Sequence, residues 1–350
     1  MSKLLTISIA AYNVEKTIGE CLDSFLQSRY FDELEILVIN DGSHDRTADI
    51  VSMYEKEYPQ SIRLINKVNG GHGSTLNTSL KVATGEFYKA VDGDDWVNSI
   101  ELDKLCDWLN ESNSDLVIDD YLEVYPDHTR LISCRNDLLS RKNYRFNELF
   151  YNKKYNKYFF VLSNSTIRTS RLREVGMKIQ ENCYYADTEL YFFIGLAART
   201  ISFADSCVYR YRLGNNGQSV SPEGIYNHIE DFIKIELNLM SLYNENLMKI
   251  DNPIRRQYLF SIIDTRFSML LDCFTRIIQK DDKDFLLVDF LEKVEMNYSD
   301  IESKCTLSWV NKYIITVPQK RIRKIRYLRN SYFYKMVQKI RKFLKIGVKS

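Results

Sequence analysis

The chain has 350 residues, 45% hydrophobic and 27% charged, a balance that excludes disordered and fibrous classes and allows one large domain with a smaller appendage. No apolar run approaches the roughly 20 residues of a spanning helix and no leader with a small-residue cleavage site opens it, so a cytoplasmic chain that does not cross a bilayer is expected. The net charge of +1 conceals a split: from Lys320 onward there are 12 basic residues and no acid, which leaves residues 1–319 at −11.

In chain order, β-branched apolar runs alternate with helical periodicity, the grammar of an α/β fold. A strand over 4–11 precedes a helix over about 15–28, and a strand over 35–40 precedes a helix over about 46–58. A third strand over 62–66 leads into Asn69-Gly70-Gly71-His72-Gly73, then a helix over about 74–83 and a strand over 86–91. The acidic run Asp92-Gly93-Asp94-Asp95 follows directly, before a helix over about 99–111 capped by Ser99 and a strand over 116–118. Ligands of open α/β sheets bind beyond the carboxyl ends of the strands, and Tyr12-Asn13, Asp41-Gly42-Ser43 and Asp92–Asp95 all occupy such ends. Residues 119–170 are Tyr- and Asn-rich with weak periodicity; a helix over 187–199 and strands over 201–204 and 207–212 come next. Beyond Ser221 the pattern turns helical, with Ile229, Phe232, Ile233 and Leu237 on one face and further helices near 255–279 and 284–294. A domain boundary is therefore expected near Ser221, with a helical domain over 222–318 and a basic tail over 319–350.

Three carboxylates within four positions, with Gly93 allowing close backbone approach, suit Mg²⁺ or Mn²⁺ bridging protein and diphosphate; a solvated acidic turn has the same signature. Asp41 is placed to accept hydrogen bonds from a nucleobase or ribose, or simply to make an Asp-Gly turn. The Gly-rich segment could offer backbone amides to phosphates, though it matches neither the P-loop nor the GxGxxG fingerprint. Seven scattered cysteines and four dispersed histidines exclude a zinc cluster or a disulfide framework.

Taken in order, these segments resemble the family 2 glycosyltransferases, inverting enzymes of GT-A fold that build bacterial polysaccharides and glycoprotein glycans. Ile7 to Asn13 resembles the opening strand, Asn40-Asp41-Gly42-Ser43 the DDGS motif, and Asn69–Asn77 with Ala83–Phe87 the approach to the metal motif, which Asp92–Asp95 supplies. Tyr185-Ala186-Asp187-Thr188-Glu189-Leu190 is similar to the pair holding the catalytic base. Tyr209-Arg210-Tyr211-Arg212 with Ser219-Val220-Ser221 is similar to the segment closing over the diphosphate. The resemblance covers about residues 4–221. It implies a Rossmann-type mixed sheet flanked by helices, a nucleotide-binding half over about 1–118, an acceptor-side half over about 119–221, and a helical C-terminal add-on.

It also implies transfer of a single hexose or N-acetylhexosamine from a UDP-sugar to the hydroxyl of a glycan acceptor, lipid-linked or protein-linked. Asp94 and Asp92 would hold Mn²⁺ or Mg²⁺. Ala11, Tyr12, Asp41, Gly73, Asn77, Asp92, Gly93 and Arg212 would bind the nucleotide-sugar, with Arg210 an alternative to Arg212. Trp96 reads as a core residue, although beside the site it could stack on a sugar face. The attacking hydroxyl must lose its proton opposite the departing diphosphate, which gives Asp187 the part of base. Three departures stand out: Asn40 replaces the first Asp of DDGS, Leu76 an Arg, and Ala186 the Glu before the base, so Glu189 and Glu181 stay open as alternatives. The Gln-x-x-Arg-Trp pattern of processive synthases is absent. A sugar-1-phosphate nucleotidyltransferase would carry a GxGTRL-like segment where Ala11-Tyr12-Asn13-Val14 stands; a degenerate glycan-binding scaffold would leave the acidic run unexplained.

In the tail, Ile322, Ile325, Leu328, Tyr332, Met336, Ile340 and Phe343 recur every three or four residues between Lys and Arg. Such a basic amphipathic helix suits an anionic membrane surface, peripheral to the inner face of the plasma membrane, or docking on the acidic body. It matches no nucleic-acid-binding module.

Overall fold

The computed structural model describes residues 3–134, 138–151, 160–214, 221–250, 252–274, 283–302 and 305. The basic tail and Ser219-Val220 lie outside the described residues. Contacts divide the chain into two compact units, one of Met1–Asn216 with Glu245–Ser261 and one of Gly217–Asn244 with Ile262–Ser350.

The first unit opens with β1 (Leu5–Ala11), α1 (Ile18–Leu26), β2 (Leu34–Asn40), α2 (Thr47–Glu57), β3 (Ile62–Asn66), α3 (Gly71–Val82) and β4 (Phe87–Asp92). It continues with β5 (Trp96–Val97), α4 (Ser99–Glu111), β6 (Leu116–Val124), β7 (Thr129–Ile132), β8 (Tyr144–Arg145), α5 (Phe146–Tyr151), β9 (Ser165–Arg168), α6 (Thr169–Glu174), α7 (Asp187–Ala197) and β10 (Thr200–Arg212). All ten strands form one mixed sheet in the order β3-β2-β1-β4-β9-β6-β10-β5, with β7 on β6 and β8 on β10. Strands β3, β2, β1 and β4 run parallel, and β9 enters antiparallel between β4 and β6. Every residue of β2 is buried, and all but one of β1, as in strands covered on both faces; the buried Thr6 hydroxyl donates to Glu35 and the Ser8 hydroxyl to Ser79.

Three segments differ from the sequence expectation. The Gly-rich stretch is not all loop: Gly71, His72 and Gly73 form the first turn of α3, because a carboxylate, Asp41, receives the amide protons at its start. The two short strands over 201–204 and 207–212 are one, β10, whose register against β6 shifts between Phe203 and Cys207 and again before Tyr209. Those bulges interrupt the alternation that a sequence pattern follows. Strand β6 continues past Ile118 through Asp119, whose carboxylate is fully buried 3.1 Å from the equally buried Lys89 Nζ of β4. Lys89 also donates to Ser163 O, and Asp119 accepts from Val208 N–H.

The second unit is helical, built from α8 (Pro222–Asn227), part of α9 (Ile229–Leu247), part of α10 (Pro253–Asp272) and α11 (Asp284–Glu302). On α9 the buried stripe joins Ile229, Phe232, Ile233, Glu236 and Met240, so a carboxylate sits in the apolar face. Phe267 of α10 and Phe290 of α11 meet at 5.6 Å. No described helix is long and apolar enough to cross a membrane.

Candidate active site

Register sets Ala11, Asn40 and Asn66 side by side at the ends of β1, β2 and β3, with Asp92 opposite Ala10. The segments leaving these strands therefore meet at one edge of the sheet. Asp41, 2% exposed, is their hub. Its Oδ1 accepts from Lys67 Nζ (2.6 Å), Gly70 N–H (2.9 Å) and Ser74 Oγ (3.2 Å), and Oδ2 from Gly71 N–H (2.8 Å). Three contacts crowd Oδ1, while Oδ2 takes one, and the Ser74 hydroxyl has a shorter acceptor in Gly71 O (2.7 Å). Two of the amides that the sequence offered to phosphates, those of Gly70 and Gly71, are thus given to Asp41. Asn40 belongs to the same turn: its Oδ1 accepts from Ser43 N–H, and its amide donates to Asn66. Gly42, at φ 74°, leaves no room for a Cβ against Asn69 N. Tyr12 stands 47% exposed beside this edge, while Ala11 is buried and its carbonyl accepts from Asp41 N–H.

The acidic run is clamped from β10. Tyr209, wholly buried, donates its hydroxyl hydrogen to Asp95 Oδ2 (2.6 Å) and accepts from Asp92 N–H (3.1 Å). Arg212 N–H donates to Asp95 Oδ1 (2.7 Å). Both Asp95 oxygens are engaged, so Asp95 organises the turn rather than facing the opening. The Arg212 guanidinium donates to Asp94 O and to Glu20, and lies 4.4 Å from the Trp96 ring centre. Arg210 turns back onto the carbonyls of Cys207, Val208 and Tyr209. Gly93 donates to Ala10 O, and a Cβ there would lie 2.9 Å from that oxygen, so glycine is required by the packing of the turn on β1.

One carboxylate oxygen from each of Asp92, Asp94 and Asp95 lies within 4.8 Å of the others. The crowding shows in their protonation: loss of water and the Asp92 charge push Asp94 up to about 6, and burial with both neighbouring charges pushes Asp95 upward too, against its two hydrogen bonds. An all-oxygen set that repels itself is chemically suited to a hard divalent cation, and with Asp95 engaged, Asp92 and Asp94 are the residues that fit one.

Asp187 begins α7, where the helix dipole favours an anion. It is half-buried, its Oδ2 accepts from the Tyr191 hydroxyl, and no partner engages Oδ1 among the described residues. Ala186 beside it is buried. Glu189 is fully buried and accepts from Gln180 N–H (2.7 Å); Glu181 accepts from Asn77. The loop before α7 lies against the start of α3. Asn182 N–H donates to Gly70 O (2.6 Å), Asn77 grips the backbone of Ile179 through both ends of its amide, and a Cβ on Gly73 would lie 2.1 Å from Gln180 O. Asn182 and Tyr185 both adopt positive φ, 55° and 64°, a strained loop over-determined by these contacts. Gly73 and Asn77 are therefore engaged in joining α3 to the loop before α7.

Two residues that the sequence placed only within motifs, with no role of their own, enter the site. His72 Nε2 lies 3.1 Å from Asp92 Oδ1; its burial opposes a charge, but that hydrogen bond and the charges of Asp92, Asp187 and Asp41 raise its proton affinity. Tyr211 is kept a neutral phenol first by burial and then by Asp92, Asp95, Asp187 and Asp94. Asp187 thus belongs to the same electrostatic cluster as the acidic run. The alternation along β10 contained the signal, since Tyr209 and Tyr211 share a face by period two.

Residues 6–176 match the family model described as Glycosyl transferase family 2. Among relatives, the chain is 39% identical over 117 residues to an uncharacterized glycosyltransferase, EpsJ, of Bacillus subtilis, covering 33% of each chain. It is 26% identical over 238 residues to a poly(ribitol-phosphate) beta-glucosyltransferase of Bacillus spizizenii, 65% of this chain and 36% of that one. The chain thus spans about a third of the length of these two relatives. Among solved structures, that of S. aureus TarS 1–349 in complex with UDP-GlcNAc superposes with a TM-score of 0.67 over 95% of this chain and 93% of that one, at 19% identity. The shared mixed sheet flanked by helices is the GT-A fold that the motif order implied.

Proposed function

Since the chain belongs to the family 2 glycosyltransferases, we propose that it moves a single hexose or N-acetylhexosamine from a UDP-sugar to a glycan hydroxyl with inversion, residues 1–221 forming the catalytic domain. What supports this reading is the cluster of Asp92, Asp94 and Asp95 at the end of β4, with Asp187 near enough for its charge to act, as theirs does, on Tyr211. Asp94 and Asp92 would hold a divalent cation, Mn²⁺ or Mg²⁺, which when bound would neutralise charge developing on the departing diphosphate. Asp95, Tyr209 and Arg212 keep the acidic turn in place. Asp187 accepts the proton of the attacking hydroxyl at Oδ1, while the Tyr191 hydroxyl fixes its other oxygen. The engagement of Glu189 and Glu181 elsewhere favours Asp187 over both. Tyr12 and the loop that Asp41 holds form the nucleotide side, and Arg212 acts on the diphosphate through the turn it braces. Uridine as the nucleotide is supported by the UDP-GlcNAc complex of TarS. The acceptor is a lipid-linked or protein-linked glycan, and the basic tail serves an anionic membrane surface.

UDP release from a panel of UDP-sugars, in Mn²⁺ and in EDTA, tests the reading. Activity should require the metal, and Asp187→Asn should lower turnover by about 10²-fold or more while UDP still binds. Absence of turnover with every donor and of any metal effect on nucleotide binding would defeat it; full activity of Asp187→Asn would remove the base.

A further inference from the structure

We propose that His72 is a positioning residue of the donor site: its Nε2–H fixes the rotation of the Asp92 carboxylate, so that the second oxygen of Asp92 is held toward the cation and diphosphate. This rests on the reading of Asp92 and Asp94 just given. The Nε2 to Oδ1 separation is 3.1 Å, and the two side chains are 29% and 34% exposed, so the pair faces the opening rather than the core. Among the described residues no other group hydrogen-bonds to the Asp92 carboxylate, although its backbone is fixed through Tyr209. An unrestrained carboxylate turns about χ2, and that freedom is lost when a ligand binds.

The platform beneath the ring is rigid for independent reasons. Asp41 takes the amide protons of Gly70 and Gly71, Asn182 donates to Gly70 O, and Thr75 Oγ donates to His72 O (2.7 Å). His72 thus projects from a first helical turn tied both to β2 and to the loop that leads to Asp187. An imidazole that donates to a ligating carboxylate, like the reverse arrangement, orients the ligand atom. A neutral ring suffices, because Nε2–H is the working donor.

The test is UDP binding by calorimetry in Mn²⁺ and in EDTA. His72→Ala should weaken Mn²⁺-dependent UDP binding about 10- to 100-fold, the range for loss of an outer-shell partner, with the EDTA value within about twofold of wild type. His72→Gln, whose amide nitrogen reaches the place of Nε2, should recover most of the loss. If the alanine variant does not fold, His72→Phe, which keeps a ring without a donor, should show the same loss. Equal weakening with and without Mn²⁺, metal-dependent binding unaltered in Ala or Phe, or a Gln variant no better than Phe would overturn the role of His72 alone. A wild-type protein that binds UDP identically in Mn²⁺ and EDTA would overturn the metal reading and His72 with it.

Discussion

Replacing Tyr209 with Phe deletes one oxygen from a fully buried ring and leaves the ring in place, so the cost comes from hydrogen bonding with almost no cavity. Two bonds are lost: the donor to Asp95 Oδ2 at 2.6 Å and the acceptor for Asp92 N–H at 3.1 Å. The first serves a carboxylate, worth about 1.5–3 kcal/mol, and the second leaves a buried N–H unsatisfied, so a combined loss of about 2–4 kcal/mol is expected. For a domain of this size, about 2–4 °C accompanies each kcal/mol, so the melting midpoint should fall by roughly 5–15 °C. Because the same hydroxyl joins Asp92 to Asp95, Mn²⁺-dependent UDP binding should weaken as well. Thermal denaturation and calorimetry measure both. A Tyr209→Phe protein with unchanged midpoint and unchanged UDP binding would refute the clamp.

Lys89→Met should destabilise by about 3–5 kcal/mol by stranding the buried Asp119 carboxylate, and Lys89→Met/Asp119→Leu should recover much of that in chemical denaturation; equal losses would show that the pair is not coupled. Burial pushes Glu236 in the helical unit up to about 8, against the opposing charge of Arg266, and among the described residues its oxygens have no hydrogen-bond partner. From the ordinary 4.5 up to about 8 only the unfolded chain ionises there, so this group should make stability fall as pH rises through that window and then level off. Glu236→Gln should accordingly be the more stable protein at pH 8 and equal to wild type near pH 4; a less stable Gln variant at pH 8 would mean an ionised pair with Arg266. Gly73→Ala places a Cβ 2.1 Å from Gln180 O and should cost about 1–3 kcal/mol as the loop before α7 moves off α3, read by denaturation; a neutral change would refute the close approach.

The strands carrying the site were legible because β1, β2 and β4 are buried on both faces and are mostly apolar and β-branched or aromatic, with only isolated polar residues such as Ser8, Glu35 and Lys89. The acidic run was legible because three carboxylates follow such a strand directly. What the pattern hid were partners distant in sequence. Asp41 read as a ligand-binding or turn-making carboxylate, and its partners at positions 67–74, which anchor the start of α3, were not visible. The segment 70–73 read as a loop because glycine disfavours helix, and only the Asp41 carboxylate explains the turn that forms there. Gly73, Gly93 and Asn77 carried motif identity whose visible cause is close packing and loop clasping. Strand β10 was split by its bulges, which obscured Tyr209 as the residue joining Asp92 to Asp95.

The central claim is that Asp92 and Asp94 hold a divalent cation on the nucleotide-diphosphate side of a site whose base is Asp187. Diffraction from crystals grown with UDP and Mn²⁺, collected at the manganese edge, tests it most directly. The account predicts an anomalous peak touching an Asp94 carboxylate oxygen and the UDP phosphates, with Asp187 facing them across the space for the sugar. UDP bound at this edge with no peak at Asp92 and Asp94, or a peak held by other residues, would contradict it.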